Sequence, residues 1–268
     1  MRGARHRRAW PTATTKGLSL LPTPNTWLIP QTQQRFSAAL FDLDGVLTPT
    51  ADVHMVAWSR MFSEYFTAHG VTPPYTDDDY FAYVDGKPRY DGVRACLASR
   101  GIVLPEGNAT DEPGADTVCG LGNRKNVAFA CILSEEGVVA YPGSVALLDH
   151  LAELGVPAAV VSSSRNAPAV LAAAGLSDRF DVVVDGTVVA ARGIRGKPSP
   201  DPFALAAQEL GVPDAESVVV EDAISGIEAG RAGDFGLVVG VDRGAGPAEL
   251  LEAGADFVVN DLLELVAS

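Results

Sequence analysis

Ala39-Leu40-Phe41-Asp42-Leu43-Asp44-Gly45-Val46-Leu47-Thr48 joins an apolar run to two carboxylates two residues apart and then to a glycine. The run reads as a short parallel strand buried on both faces, and the carboxylates fall where it ends. Gly45 lets the chain turn sharply there. Two carboxylates crowded at a strand end repel each other and need a cation. The segment therefore predicts a divalent-metal site that contains a candidate nucleophile. An acidic β-turn would also explain Asp-x-Asp-Gly on its own, because both residue types are ordinary in turns. Three further matches downstream decide between the two readings.

From residue 37 short apolar runs alternate with longer helical ones. Strands are expected at 38–41, 157–161, 181–184, 217–220, 236–241 and 256–259, with helices at 166–174, 201–210, 224–232 and 247–253 between the later ones. This βαβα alternation predicts an α/β fold, a doubly wound parallel sheet with helices on both faces. About a hundred residues separate the first strand from the second, too many for one crossover. Residues 52–138, rich in aromatics and helical periodicity, are thus expected to form a separate helical domain inserted into a core made of 36–51 and 139–268. Residues 1–35 carry six Lys or Arg and no acid, lack an apolar signal-peptide segment, and are expected to be a disordered extension.

In a doubly wound sheet ligands bind beyond the carboxyl ends of the strands. The first strand delivers Asp42 and Asp44 there, the second Ser162, Ser163 and Ser164, the loop after the third Lys197, and the fourth Glu221 and Asp222. Each has an ordinary alternative. The serines could cap the following helix, Lys197 could be solvated, and Glu221-Asp222 could cap a helix. As an ordered set they suit phosphoryl transfer. Asp42 would attack phosphorus and form an aspartyl phosphate. Asp44 would protonate the leaving oxygen and then deprotonate the next acceptor. Oxygen donors from Asp42, Asp222, the Asp44 carbonyl and Glu221 select Mg²⁺. Ser162, neighbouring amides and Lys197 would hold the phosphoryl oxygens and offset their charge.

Composition narrows the class further. Beyond residue 35 the chain holds 14 basic against 34 acidic residues. So acidic a body is a poor candidate for binding nucleic acid or an anionic membrane, and an anionic substrate would need its own basic pocket. No apolar run reaches membrane-spanning length. Cys96, Cys119 and Cys131 show no metal-binding spacing and read as small buried residues in a reducing, cytoplasmic compartment.

Phe41-Asp42-Leu43-Asp44-Gly45-Val46, Val160-Val161-Ser162, Lys197-Pro198-Ser199-Pro200-Asp201 and Val220-Glu221-Asp222-Ala223-x-x-Gly226 resemble the four motifs of the haloacid dehalogenase (HAD) superfamily. The insert resembles its type 1 cap. Within the superfamily the chain is most similar to the β-phosphoglucomutase-like family. That likeness rests on His54 and Trp58 in the first cap helix, Gly86 and Arg89 in Asp85-Gly86-Lys87-Pro88-Arg89, Arg124-Lys125-Asn126 opening a later cap helix, and Ser162-Ser163-Ser164-Arg165-Asn166. The resemblance implies that Arg89 grips a distal phosphate and that Lys125 and Asn126 hold the sugar. It implies further that Ser164, Arg165 and Asn166 contact substrate at the domain interface and that His54 couples cap closure to Asp44. It also implies a Mg²⁺-dependent monomer that interconverts β-glucose 1-phosphate and glucose 6-phosphate through glucose 1,6-bisphosphate, in metabolic partnership with a disaccharide phosphorylase. The alternative is a phosphatase of a sugar phosphate or similar small monoester. The chain departs from the family pattern at Pro49, Asp85, Lys87 and Pro88, and its cap is longer at 101–118, an acidic segment without an assigned role.

Overall fold

Runs such as Val218-Val219-Val220 are β-branched and apolar on both faces, so they are stable only where both faces are covered. The computed structural model, which describes residues 25–266, places them in one parallel sheet. A small hairpin precedes it, β1 (Trp27–Leu28) and β2 (Arg35–Phe36). The sheet consists of β3 (Ala38–Phe41), β4 (Ala158–Val161), β5 (Val182–Val184), β6 (Ser217–Glu221), β7 (Leu237–Val241) and β8 (Phe257–Val259), in the order β5-β4-β3-β6-β7-β8. Phe41 pairs with Val160 on one side and Val220 on the other. The strand order therefore reverses at β3, and the topological switch point lies beyond Phe41.

The helices are α1 (Thr50–His69), the short α2 (Asp77–Asp79) running into a π-helical turn (Tyr80–Val84), α3 (Arg89–Ala98), α4 (Val118–Glu136), α5 (Pro142–Leu154), α6 (Ala167–Ala173), α7 (Gly186–Arg192), α8 (Asp201–Leu210), α9 (Ile224–Ala232) and α10 (Pro247–Ala253). Alternation along each strand feeds two cores. Ala39, Phe41, Val218 and Val220 pack with Leu147 and Leu151 of α5 and Val170 and Leu171 of α6. Leu40, Val219 and Val238 pack with Phe203 of α8, Ile227 of α9 and Leu250 of α10. The insert has its own aromatic core, in which Trp58 and Phe62 stack at 5.5 Å and Phe62 and Tyr75 at 5.1 Å. Its principal packing is α1 against α4, two helices far apart in the chain.

The structure corrects four expectations. Residues 25–35 belong to the fold. Trp27 and Ile29 are fully buried, and Trp27 Nε1 donates to the Leu265 carbonyl at 3.2 Å. Residues 1–24 lie outside the described residues. Arg124-Lys125-Asn126 does not open a helix but lies in the middle of α4, whose N-cap is Thr117, accepting from the Gly120 amide at 2.9 Å. A helix, α7, stands between β5 and Lys197, capped by Asp185. Cys96 and Cys119 are buried as expected, but Cys131 is exposed. No helix among the described residues is long and apolar enough to cross a membrane.

Candidate active site

The loops that leave β3, β4 and β6 converge at the switch point, so Asp42, Ser162, Glu221 and Asp222 meet although more than a hundred residues separate the first two. Lys197 ties them together. Its Nζ donates to Asp42 Oδ1, to Glu221 Oε1 and, at 2.9 Å, to the Val161 carbonyl. Burial works against the ammonium charge, but Asp42 and Glu221 hold it above its usual range. Glu221 Oε2 accepts the Asp222 and Ala223 amides at 2.9 and 3.0 Å, which shapes the turn after β6.

Asp42, Glu221 and Asp222 offer ligand oxygens within 4.8 Å of one another, and all three are buried. Burial pushes Asp42 up against the pull of Lys197, and burial followed by Asp85 and Glu221 pushes Asp222 well up. One lysine is thus set against more buried negative charge than it can offset. An oxygen-only cluster with surplus negative charge fits a hard divalent cation. Asp222 enters this space because Gly45 vacates it. Gly45 has φ +90°, and a Cβ there would lie 1.8 Å from Asp222 Oδ2.

Asp44 faces the cap. Thr50 Oγ1 donates to its Oδ1, Ser162 Oγ donates to Oδ2 at 3.3 Å, and His54 Nε2 lies 3.4 Å from Oδ1, an ion-pair distance rather than a tight hydrogen bond. Burial opposes its charge, but His54, Thr50 and Lys125 overcome that and hold the carboxyl at about 2. His54 Nδ1 hydrogen-bonds Lys125 Nζ, and its ring stacks on Phe129 at 4.1 Å. Burial and Lys125 push His54 below its usual range, while burial and Arg89 push Lys125 well down. Lys125 also lies 5.0 Å above the Trp58 ring. Trp58 is therefore mainly a cap-core residue with one side on the pocket.

The pocket between cap and core has a volume of about 290 Å³. Asp42, Asp44 and Lys197 line it together with Arg89, Lys125, Ser164, Arg165 and Asn166. Arg89 Nη2 donates to Asn126 Oδ1 at 2.9 Å, and Asn166 Nδ2 donates to the same oxygen at 2.7 Å. Asn126 therefore binds Arg89 and Asn166. Arg89 has no carboxylate partner among the described residues, and burial and Arg165 lower its hold on its proton. A guanidinium placed in this way favours an anion.

The cap loop is stitched to the core. Ser163 Oγ donates to the Gly86 carbonyl at 2.8 Å and Ser225 Oγ to the Asp85 carbonyl at 3.1 Å. Sequence reasoning missed Thr50 beside Asp44, the pocket-lining Tyr80 and Tyr90, and the supporting Asn123 and Ser225. Only Thr50, next to the hinge in Thr48-Pro49-Thr50, carried a readable signal: a hydroxyl just beyond the carboxylate pair.

Asp85 brings a further carboxylate from the cap. Burial drives its carboxyl up to about 7. In the unfolded chain it would titrate near 4. The folded protein therefore binds a proton more tightly than the unfolded one, and stability falls as pH rises from about 4 to about 7. Replacing Asp85 by Asn should remove this residue's share of that fall, while Asp42 and Asp222 keep theirs. In a chelator-containing buffer we expect the variant to melt at least about 3 °C above the parent at pH 8 and to match it at pH 4. Parallel melting curves at both pH values would refute the assignment.

The family model of haloacid dehalogenase-like hydrolases matches residues 36–234. The chain is 46% identical over 242 residues to a β-phosphoglucomutase of Mycobacterium bovis, covering 87% of this chain and 92% of that protein. It is 31% identical over 236 residues to hexitol phosphatase A of Escherichia coli, covering 87% and 95%. The solved structure of a β-phosphoglucomutase from Clostridium difficile superposes with a TM-score of 0.69 at 26% identity, covering 86% of this chain and 93% of that one. The four motif segments, the sheet they terminate and these similarities together make the chain a member of the haloacid dehalogenase-like hydrolase family, of the β-phosphoglucomutase-like type with a helical cap.

Proposed function

We propose that the protein is a Mg²⁺-dependent β-phosphoglucomutase, converting β-glucose 1-phosphate to glucose 6-phosphate through glucose 1,6-bisphosphate. The observation that carries this is Arg89, a cap guanidinium that donates to the neutral amides of Asn123 and Asn126, has no carboxylate partner among the described residues, and lines the pocket that also holds Asp42 and Lys197. A mutase must hold a sugar with two phosphates, and a phosphatase has no need of a second phosphate site.

Asp42 carries the phosphoryl group. Asp44, kept ionised by Thr50 and His54, accepts the proton of the attacking sugar hydroxyl as the phosphoryl group leaves Asp42. The bisphosphate then turns over in the pocket. The Asp42 carboxylate attacks its other phosphorus, and Asp44 returns the proton to the departing sugar oxygen. Lys197 and Ser162 orient the transferring oxygens, while Arg89 and Arg165 hold the resting phosphate. Asp42, Asp222 and the Asp44 carbonyl would hold the metal with Glu221 beside them, and when bound it supplies charge neutralisation at the phosphoryl oxygens. The protein acts on this reading as a monomer in the cytoplasm, where a disaccharide phosphorylase would supply the 1-phosphate.

A phosphatase reading is favoured by the similarity to hexitol phosphatase A. An assay with Mg²⁺, β-glucose 1-phosphate and a trace of glucose 1,6-bisphosphate, following glucose 6-phosphate and free phosphate together, separates the two. Glucose 6-phosphate as the main product supports the mutase, and free phosphate refutes it. The metal assignment has its own test. Mg²⁺ at about a hundred times its dissociation constant should stabilise the fold by about 2.7 kcal/mol. Replacing Asp222 by Asn should abolish that shift in Tm.

A further inference from the structure

The long acidic segment of the cap is folded tightly onto the start of α4. The Val118 amide donates to the Pro105 carbonyl at 3.0 Å and the Cys119 amide to the Glu106 carbonyl at 3.1 Å. Thr117 Oγ1 donates to Asp111 Oδ2 at 2.6 Å. The loop's inner edge ends on one side chain. Asn123 Nδ2 donates to the Ala109 carbonyl at 3.1 Å and to the Asp111 carbonyl at 2.8 Å. The other end of the same amide faces the pocket wall. Asn123 Oδ1 accepts from Tyr90 Oη at 3.0 Å and, at the limit of hydrogen bonding, from Arg89 Nη1 at 3.5 Å.

Tyr90 is the spacer between two cations. The Arg89 guanidinium carbon lies 5.9 Å from its ring centre and that of Arg165 lies 5.7 Å away. The Tyr90 ring can approach α4 because residue 122 is glycine. A Cβ on Gly122 would lie 2.7 Å from Tyr90 Cδ1 and 3.1 Å from Arg89 Cδ. Gly122 and Asn123 are thus consecutive positions serving one end: the first admits the ring, the second fixes its hydroxyl.

We propose that Asn123 is a positioning residue that transmits the rigidity of loop 105–117 to Tyr90 and Arg89, setting the spacing of the two guanidiniums that receive the second phosphate of a sugar bisphosphate. Asn123 does not line the pocket, so it acts through Tyr90 and Arg89 rather than on the substrate. The proposal rests on the reading of Arg89 as the distal phosphate grip. Two guanidiniums held at fixed spacing bind an anion without first paying the entropy of ordering their side chains. Loss of one orienting amide should therefore weaken that phosphate and leave the reacting end alone.

The test is calorimetric binding of glucose 1,6-bisphosphate and of para-nitrophenyl phosphate, whose single phosphate reports the Asp42 end, to the Asp42→Asn protein, with and without Asn123→Ala. The bisphosphate preference should fall about tenfold in Asn123→Ala, with monophosphate affinity changed by less than about twofold. Tyr90→Phe, which removes only the hydroxyl donor to Asn123, should lower the preference by about threefold and guards against misfolding of the first variant. An unchanged preference in both variants overturns the proposal. Equal weakening of both ligands overturns it too, because that would mark a purely structural role. A parent protein without any bisphosphate preference would refute the Arg89 reading itself, and this inference with it.

Discussion

Asp42→Asn is expected to lower sugar-phosphate turnover by about 10⁴-fold or more while the protein remains folded. The substitution keeps the shape of the side chain and an oxygen that can accept from Lys197, which also retains Glu221 and the Val161 carbonyl. It removes one negative charge from a buried cluster that already holds a surplus, so no unpaired charge is created. It does remove the carboxylate that the proposed reaction uses as nucleophile, and an amide cannot form the acyl phosphate. Two measurements check this: product formation by the coupled assay, and acid-stable protein-bound phosphate after incubation with labelled substrate. Both signals should disappear in the variant, with a Tm within about 3 °C of the parent. Retained phosphorylation would move the nucleophile elsewhere. Lys197→Met makes the contrast. It leaves Asp42, Glu221 and Asp222 buried without their cation, and loss of one partner from such a group costs about 3–5 kcal/mol.

The sheet was readable because a parallel sheet buried on both faces writes itself as uninterrupted β-branched runs, and the six expected strands match the observed ones within a residue. Helices α8, α9 and α10 begin and end where expected, two of them with glycine in the left-handed conformation just beyond the last turn. The hairpin was not readable. Its strands are two residues each, and Trp27 gains its place from the C-terminal segment, more than two hundred residues away. Helix α7 was missed because seven residues with Val-Val among them look like loop or strand unless Asp185 is recognised as a cap. In α4 the polar triplet Arg124-Lys125-Asn126 drew attention from Thr117, the actual cap.

The same division runs through the site. Asp42, Asp44, Ser162, Glu221 and Asp222 stand at or just past strand ends, which in a parallel sheet converge whatever lies between them, and Lys197 joins them from the loop beyond α7. Tyr90, Asn123 and Ser225 earn their positions from contacts between α3, α4 and the core that no local spacing encodes. The resemblance brought Arg89 and Asn126 forward as separate substrate contacts. The structure binds them to each other, so Asn126 also orients that arginine.

That arginine makes the sharpest test of the proposed activity. Arg89→Ala should lower glucose 6-phosphate formation by about 10²–10³-fold while hydrolysis of para-nitrophenyl phosphate, which has no second phosphate, changes by less than about threefold. A charge-assisted hydrogen bond contributes about 1.5–3 kcal/mol, and a fork that makes two can account for a loss of that size. The side chain it leaves behind is not stranded, since Asn126 keeps the Asn166 donor and Asn123 keeps Tyr90. Arg89→Lys should recover only part of the loss, because an ammonium restores the charge but not the planar pair of donors. The sensitive quantity is the ratio of the two activities, which cancels any general damage to Asp42 or to cap closure. A ratio that stays constant would mean that Arg89 supports the shape of the cap and not a phosphate, and the mutase assignment would lose the observation on which it stands. A ratio that falls in Arg89→Ala and partly returns in Arg89→Lys would place the second phosphate at the cap, where a mutase requires it.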